Sequence, residues 1–403
     1  MVNRRLSNIS DPNSHEPLYE VISIYIGLDV HKRNVYFTEM EEDGNVKDQY
    51  DNTNDDDKWN EFRKRYKDCD NKIALEVSTT GKYVARKLRG MGFDVHMANT
   101  SRISLIFKTV KKNDKEDSYK LAKLPRLGEL PAVHLPSKYS DDLKSLARYR
   151  KSIGENTTMI KNRIHAFLTS YGITIDKTDI FGRSGMKKIR ELSTLMSESD
   201  KFVLYDIIDQ LSDLKERSIT VEDQLSKIVT NDESVARIVA ISGINVYSAS
   251  SIISEIDDIS RFPSKEKLAS YAGLVPRQDQ SGNRDLKDYI TKKGPSMLIF
   301  IIVNAAHTVI KFSKKMKSKY LSLVKCLGKN RAIVAIARLL VEIIYLMLTK
   351  NEDFIDQIDS LTEKKMKAMH IRSLKPHIAK SFDEVARLIK TGGMRKMSKE
   401  PFS

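Results

Sequence analysis

Apolar residues follow two different spacings along the chain, and the change between them divides it into regions. In the first region, short apolar or alternating runs that are typical of strands take turns with the three-and-four spacing that is typical of helices. Strand patterns lie at residues 21–28, 34–40, 72–77 and 93–97, and helical patterns at 55–66 and 82–89. This alternation predicts an α/β domain, which we place at residues 21–128, after a polar, disordered tail at 1–20.

The middle of the chain has only the helical spacing. Apolar residues recur at steps of three and four from Asp141 to Tyr171 and again from Leu204 to Ile228. Two long amphipathic helices joined by a polar connector predict an antiparallel coiled-coil arm over residues 137–230.

The last part of the chain predicts a mostly α-helical domain at residues 231–350 and a basic helical tail at 351–403. Its most apolar stretch, residues 333–348, includes Arg338 and Glu342. Charges within the run favour a buried core helix over a membrane span. We therefore expect no membrane partner.

Charge adds a class of partner to this picture. The 403 residues include 69 Lys and Arg against 54 Asp and Glu, a formal net charge of +15, and a chain this basic usually meets a polyanion such as nucleic acid. Solubility alone is the competing explanation. Cys69 and Cys326 form no metal or disulfide motif, and the N-terminus lacks the apolar core of a signal peptide. We therefore expect a cytoplasmic location, in association with the nucleoid.

Four carboxylates occupy positions typical of a metal site. Asp29 and Glu76 each follow an apolar strand, and Asp114 and Asp117 stand three residues apart at the start of a helical run. Converging carboxylates repel each other unless cations neutralise them, and Mg²⁺ prefers such oxygen ligands. Two Mg²⁺ ions about 3.5–4 Å apart would activate the attacking oxygen and stabilise the leaving oxygen in phosphoryl transfer. For each residue alone, a strand end or a helix N-cap is the ordinary interpretation.

Basic side chains and one turn are candidate contacts for nucleic acid. Several of the basic residues line the first arm helix, where a solvated face is the ordinary interpretation. The turn at residues 241–245 lies between two helical segments, and backbone amides beside a helix N-terminus can cradle a phosphate. A plain helix C-cap at Gly243 is the alternative. The candidate contacts are Lys32, Arg148, Lys151, Arg163, Gly243 and Lys292.

In their order along the chain, Asp29, Glu76, Asp114 and Asp117 resemble the D-E-D-D motif of bridge-RNA-guided insertion-sequence transposases, a family that includes the Piv-type DNA invertases. The similarity runs from about residue 22 to 350, through an ordered series of downstream motifs. These motifs are Ile241–Ala249, Glu255–Asp258, Arg261-Phe262, Leu268–Pro276, Gln280–Gly282, Ile290–Gly294 and Asn330–Arg338.

The chain departs from the family pattern at a few positions close to the carboxylates. Leu28, His31, Asn113 and Ser118 stand where relatives often carry other residues. None of these departures removes a carboxylate, and we interpret His31 as a surface histidine.

The resemblance implies a RuvC-like N-terminal domain of RNase H type and a serine in the C-terminal domain that acts beside the acidic site. Ser281 matches the position of that serine, although by itself it is an ordinary turn residue before glycine. The implied function is that of a transposase or site-specific recombinase of an insertion sequence, which cuts and rejoins DNA by metal-dependent phosphoryl transfer. The implied cofactor is Mg²⁺, two ions per site, with Mn²⁺ as the alternative.

The resemblance also implies partners. These are donor and target DNA, a structured bridge RNA that reads sequence by base pairing, and further copies of the chain, as dimers that meet as a tetramer. Two other functions compete with this one. A RuvC-like, structure-specific nuclease would need the carboxylates but not Ser281, and a non-catalytic nucleic-acid-binding protein would need neither.

Overall fold

The computed structural model describes residues 23–107, 113–175, 179–275, 279–281, 284–286 and 294–375. The chain divides into two compact units, Met1–Pro136 and Ser137–Ser403. Each unit has its own architecture: the first is built on a mixed β-sheet, and the second is mainly helical.

The first unit is an α/β domain. In chain order it contains β1 (Ser23–Val30), β2 (Asn34–Glu41), β3 (Val46–Thr53), α1 (Asp56–Tyr66), β4 (Asp70–Glu76), α2 (Thr79–Gly90), β5 (Asp94–Ala98), α3 (Thr100–Ile106), α4 (Asp114–Arg126) and β6 (Ala132–Val133). The sheet order is β3-β2-β1-β4-β5-β6, with β1, β4 and β5 parallel and the other pairs antiparallel. The α/β domain predicted from the alternating pattern is confirmed, and its sheet continues a few residues past 128.

Helices cover both faces of this sheet. On one face, α1 buries Trp59, Phe62 and Tyr66 in a core shared with Ile26 and Leu28 of β1. The three aromatic residues are spaced three and four apart, so they form one apolar stripe on the helix.

The opposite face carries α3 and α4. Leu121 and Leu124 of α4 form a small core with Ile103 of α3 and with Ala74 and Ala98 of the sheet. Because the strand residues are small, α4 lies close to the sheet, and its first turn comes near the end of β1.

The second unit is a helical assembly. In chain order it contains α5 (Lys138–Ser170), α6 (Arg183–Leu192), α7 (Glu198–Val229), α8 (Glu233–Val239), α9 (Val246–Ile256), α10 (Lys265–Tyr271), β7 (Asp279–Ser281), β8 (Arg284–Leu286), α11 (Ser296–Phe312), α12 (Lys314–Leu327), α13 (Lys329–Lys350) and α14 (Asp359–Ser373). Its main core collects apolar residues from α5 and from each helix between α7 and α14.

The predicted arm corresponds to α5 and α7, which lie antiparallel. The start of α5 and the end of α7 share the main core, as at Leu143 and Leu225, and the end of α5 shares a second core with the start of α7, as at Ile164 and Leu204. The connector is more than a polar link, because α6 adds Ile189 to that second core. A supercoil between the two helices stays a prediction.

Helix α13 is long and apolar enough to cross a membrane by length and composition alone. Half of its most apolar window is buried, and Ile336, Leu340 and Ile344 belong to the main core. Its two internal charges, Arg338 and Glu342, pair with each other at 3.0 Å. The preceding helices α11 and α12 pass the same test only as a pair, and they meet at a bend of 109°. The burial of α13 and the pairing of its two charges are those expected of a core helix.

The described part of the basic tail is a packed helix. Arg372 of α14 pairs with Glu222 of α7, and just after α14 the Nζ atom of Lys375 lies 3.0 Å from Asp223 Oδ2. These ion pairs fasten α14 to α7.

Candidate metal centre

Asp29 lies near the end of β1, on the face of the sheet that α4 covers. Side chains alternate between faces along a strand, so Asp29 shares its face with Gly27. A Cβ atom at Gly27 would lie 1.9 Å from the Ser118 carbonyl oxygen and 2.4 Å from the Ala122 amide nitrogen. The backbone of α4 therefore touches β1, and any side chain at Gly27 would push the helix away from Asp29.

Helix α4 begins with the two aspartates predicted for the site. Its N-cap is Asn113, which accepts a hydrogen bond from the Glu116 amide at 2.7 Å. The alternative interpretation of Asp114 and Asp117 as N-caps is therefore wrong. Both stand in the first helical turn, where the helix dipole favours negative charge.

Three side chains from the end of β1 and the start of α4 converge. His31 Nε2 lies 3.3 Å from Asp29 Oδ2 and 3.6 Å from Asp114 Oδ2. One ligand atom of each residue lies within 4.8 Å of the other two. The Asp29 side chain is 16 % exposed, whereas His31 and Asp114 are more than half exposed. His31 is thus exposed, as expected, but it lies between two of the predicted carboxylates.

The other two predicted carboxylates flank this cluster. Asp117 Oδ1 lies 2.8 Å from the buried ammonium of Lys120, three residues further along α4. Glu76 is the last residue of β4, which pairs parallel with β1. Leu75 pairs with Leu28, so the same register continued by one residue places Glu76 beside Asp29. Strand alternation gives Glu76 the same face as Ala74, which packs against α4.

Burial and like charge act together on Asp29. Burial raises the pKa of its carboxyl above the ordinary value, the neighbouring His31 lowers that pKa, and Asp114 and Asp117 raise it again. The charged form of Asp29 is therefore less favourable than that of an ordinary aspartate, and a cation bound here would stabilise it.

The donor set suits a divalent metal ion. Carboxylate oxygens are the ligands that Mg²⁺ and Mn²⁺ prefer, and an imidazole nitrogen is a further donor within reach. Asp29 and Asp114 offer two carboxylates with oxygens within 4.8 Å of each other, and Glu76 and Asp117 flank them. The residues present thus fit a metal ion at the junction of β1 and α4.

Two of the predicted nucleic-acid contacts are engaged within the chain. Arg148 of α5 lies 3.5 Å from the buried carboxylate of Glu255, and Lys151 lies 2.9 Å from Glu155 on the same helix. Part of the positive charge on this face of α5 is therefore already balanced.

The remaining predicted side chains are placed as follows. Lys32 and Arg163 are exposed. Ser281 ends β7, with its backbone opposite Arg284 of β8. Lys292 lies outside the described residues.

Gly243 lies in the turn between α8 and α9. Its φ angle of 94° falls in the left-handed region that favours glycine, and a Cβ atom there would lie 2.6 Å from the Thr308 side chain on α11. The C-cap of α8 is Ala240, so the alternative interpretation of Gly243 as that C-cap is wrong. Asn245 caps the start of α9 and accepts from the Ser248 amide at 2.9 Å.

The sequence analysis did not identify two residues that shape the metal centre, Gly27 and Lys120, and it interpreted a third, His31, only as a surface histidine. Position 27 requires glycine because the backbone of α4 packs against it, and α4 is distant in sequence. No pattern of neighbouring residues predicts this requirement. His31 and Lys120 did carry a signal in their spacing, because His31 follows Asp29 by two residues, just past the end of β1, and Lys120 is three residues from Asp117 on a helix.

Two family profiles match the chain. Residues 235–321 match the profile described as Transposase IS116/IS110/IS902 family, and residues 26–173 match a DEDD-type transposase profile of the IS110 group. Together they cover more than half of the chain. The four predicted carboxylates fall within the second range, and Ser281 falls within the first.

Curated proteins are also similar to the chain. The transposase for insertion sequence element IS1111A of Coxiella burnetii is 26 % identical over 294 residues, which are 70 % of this chain and 79 % of that protein. A probable family 20 transposase of Pseudomonas aeruginosa is 24 % identical over 59 % of this chain and 71 % of its own length. The transposase for IS1328 of Yersinia enterocolitica is 24 % identical, over 58 % and 69 %.

Proposed function

Because this chain belongs to the IS116/IS110/IS902 family of insertion-sequence transposases, enzymes that cut and rejoin DNA, we propose that its chemistry takes place at a metal centre formed by Asp29, Glu76, Asp114 and Asp117. The observation that carries this proposal is the convergence of Asp29 and Asp114 where β1 meets α4. Burial and the neighbouring Asp114 and Asp117 raise the pKa of Asp29, and a bound cation would stabilise its charged form.

We infer an RNase H-type, RuvC-like organisation for the first unit. The mixed sheet, with three antiparallel strands continued by parallel β4 and β5, supports this inference. So does the placement of acidic residues at the ends of two adjacent strands and at the start of a helix packed on them.

Each residue of the centre has a distinct task in this proposal. Mg²⁺, two ions per site with Mn²⁺ as the alternative, would supply positive charge to the attacking and leaving oxygens of the scissile phosphate. Asp29 would hold metal from the sheet and Asp114 from the helix. Gly27 keeps the two close, because it lets α4 touch β1. Lys120 orients Asp117 through its ion pair, and His31 stands at the exposed side of the cluster, where a phosphate can reach it.

Ser281 is the proposed nucleophile. Its Oγ atom would form a bond to the scissile phosphorus and lose its proton to a base, while the bond from phosphorus to the leaving DNA oxygen breaks and that oxygen takes up a proton. The phosphoserine ester conserves the energy of the broken bond, so a new DNA hydroxyl can displace the serine and rejoin the strand. The match of the C-terminal profile across this residue supports the assignment.

Nucleic acids are the proposed partners: DNA of the element ends and target, and a structured bridge RNA that selects them by pairing. The net charge of +15 and the tight turn at Gly243 support contact with a polyanion. Joining two DNA partners calls for more than one active site, so we propose a dimer that pairs into a tetramer, acting in the cytoplasm at the nucleoid.

Ser281→Ala tests the proposal against a nuclease that hydrolyses DNA without rejoining it. Labelled DNA carrying the element ends, with RNA transcribed from the flanks of the gene, is incubated with the protein and Mg²⁺ and run on a denaturing gel. We expect the parent protein to form a covalent protein–DNA adduct and joined product. The variant should form neither, although it still binds the labelled DNA.

Ser270→Ala is the matched control, because Ser270 is an exposed serine of the same unit that has no part in the proposal. It should cut and join at the parent rate. A Ser281→Ala variant that also cuts and joins at the parent rate would exclude this serine as the nucleophile. Cutting without joining by the parent protein would favour the nuclease.

A further inference from the structure

The ammonium group of Lys365 on α14 donates to backbone oxygens of the last residue of α8 and of the turn that joins α8 to α9. Its Nζ atom donates to the carbonyl oxygens of Val239 at 2.8 Å, Ile241 at 3.0 Å and Ile244 at 2.8 Å. An ammonium has three N–H donors, so all three are used, one on the last carbonyl of α8 and two on carbonyls of the turn that follows. These carbonyls belong to residues more than 120 positions away in the chain.

This arrangement differs from an ordinary ion pair. Among the residues that the structure describes, no carboxylate forms a salt bridge with Lys365, and burial lowers the pKa of its amine. Carbonyl oxygens that converge from one stretch of backbone are the groups that replace the hydration shell of K⁺ in protein sites. The turn therefore presents a cage suited to a monovalent cation, and the cation inside it is covalently attached to the chain.

We propose that the carbonyls of Val239, Ile241 and Ile244 form a monovalent-cation site that this chain fills with its own Lys365, and that the bound ammonium positions the turn for contact with a nucleic-acid phosphate. The second part rests on the proposed function, since it takes DNA as the partner of this turn. The first part concerns the fold of the second unit alone.

The position of the cage explains why it would matter for a phosphate. Ile244 directly precedes Asn245, the N-cap of α9, so one of the carbonyls that hold the ammonium lies next to the start of that helix. A positive charge there adds to the field of the helix N-terminus. It also draws in three carbonyls that would otherwise repel one another, and so it fixes the turn around Gly243.

Helix α14 has other attachments, which makes the lysine testable. Arg372 pairs with Glu222, and Lys375 pairs with Asp223. These pairs lie at the end of α14, so the helix has anchors that do not depend on Lys365. In Lys365→Met, the side chain keeps an apolar stem of similar length and loses only the ammonium.

The test compares alkali and organic cations at equal ionic strength. The affinity of the full chain for a fluorescein-labelled DNA duplex is measured by anisotropy in choline chloride and in KCl. Choline is too large to enter a cage of three carbonyls. We expect the parent protein to bind equally in both salts. Lys365→Met should bind about tenfold more weakly in choline chloride, within the usual range of coupling between two sites, and should regain affinity in KCl. Lys364→Met, at an exposed lysine on the same helix, should behave as the parent.

Thermal unfolding of the same variants without DNA separates the cage from the proposed function. KCl should raise the melting temperature of Lys365→Met relative to choline chloride and leave that of Lys364→Met unchanged. A selective KCl effect on melting, with unchanged DNA affinity in every variant, would retain the cage and remove its role in DNA binding. No selective effect of KCl on melting would overturn the cage. If Lys365→Met folds in KCl but not in choline chloride, that selectivity supports the cage; if it folds in neither salt, the cage as a K⁺ site is overturned.

Discussion

Asp29 and Glu39 are carboxylates on adjacent strands of one sheet, and their surroundings are opposite in kind. Glu39 on β2 is fully buried on the face that α1 covers, where it pairs in register with Ile26. It accepts a hydrogen bond from the Tyr66 hydroxyl and lies 3.0 Å from Arg65 Nη2. Asp29 on β1 faces α4.

The difference lies in what compensates each charge. Burial raises the pKa of the Tyr66 phenol and the hydrogen bond to Glu39 raises it further, so Tyr66 remains a donor. Arg65 supplies a positive charge, and Glu39 needs nothing from outside the chain. Asp29 has two acidic neighbours and one exposed imidazole. Burial of a carboxylate is thus no sign of function by itself. What distinguishes Asp29 is burial beside other carboxylates, with an exposed imidazole in place of a guanidinium.

Neutralising each carboxylate in turn gives the largest expected contrast. Asp29→Asn should lower DNA cutting by at least about a thousandfold, because a metal ion supplies several kcal/mol of charge stabilisation in phosphoryl transfer. Glu39→Gln should leave the rate within a few-fold of the parent. Gel assays of cleavage under single-turnover conditions measure both. Similar losses of cutting rate in Asp29→Asn and Glu39→Gln would mean that the different surroundings of the two carboxylates do not identify the active centre.

Folding stability should instead depend on Glu39 more than on Asp29. Glu39→Ala removes the partner of Tyr66 and Arg65, and we expect the free energy of unfolding in urea to fall by about 2–3 kcal/mol. Asp48→Ala is the matched control, because Asp48 also faces Arg65, at 3.6 Å, but is half exposed. It should cost no more than about 0.5 kcal/mol. An equal cost for both would show that the buried pair contributes no more than a surface one.

The smallest expected effect is the pH dependence of metal-free stability. The folded pKa of Asp29 is raised, so its contribution to stability is full below the unfolded pKa and is lost as pH rises through the folded pKa. In EDTA, Asp29→Asn should therefore melt about 1–3 °C above the parent at pH 7, and the gap should close as pH falls to about 4. Adding Mg²⁺ should stabilise only the parent. A gap that does not change with pH would assign the difference to packing.

Local patterns were enough to predict some parts of this molecule. The aromatic stripe of α1 and the carboxylates at the ends of β1 and β4 follow from periodicity within a few residues, and the structure places them as the sequence suggested. The four-residue D-E-D-D order became specific only through resemblance to a family, because each acidic residue alone has an ordinary structural explanation.

Other parts could not be predicted because they depend on contacts between distant segments. In the sequence, Glu39 is one polar position of an alternating strand. Only the folded chain brings Arg65 and Tyr66 within hydrogen-bonding distance of its carboxylate. The carbonyl cage needs a lysine more than 120 residues from the turn that it holds, and a chain with 69 basic residues offers no way to single out Lys365.

The contact at Gly27 bears on how copies of a mobile element lose activity. Because two backbones meet there, the spacing between Asp29 and Asp114 does not depend on which side chains cover the outer surface of α4, and exposed positions such as Lys115 can vary freely. A single methyl group at Gly27, in contrast, would collide with the Ser118 carbonyl and move the helix. In the proposed centre, a genomic copy with that one substitution would keep every acidic residue of its motif and still lose activity, so a census of active copies that counts only the four carboxylates would overestimate them.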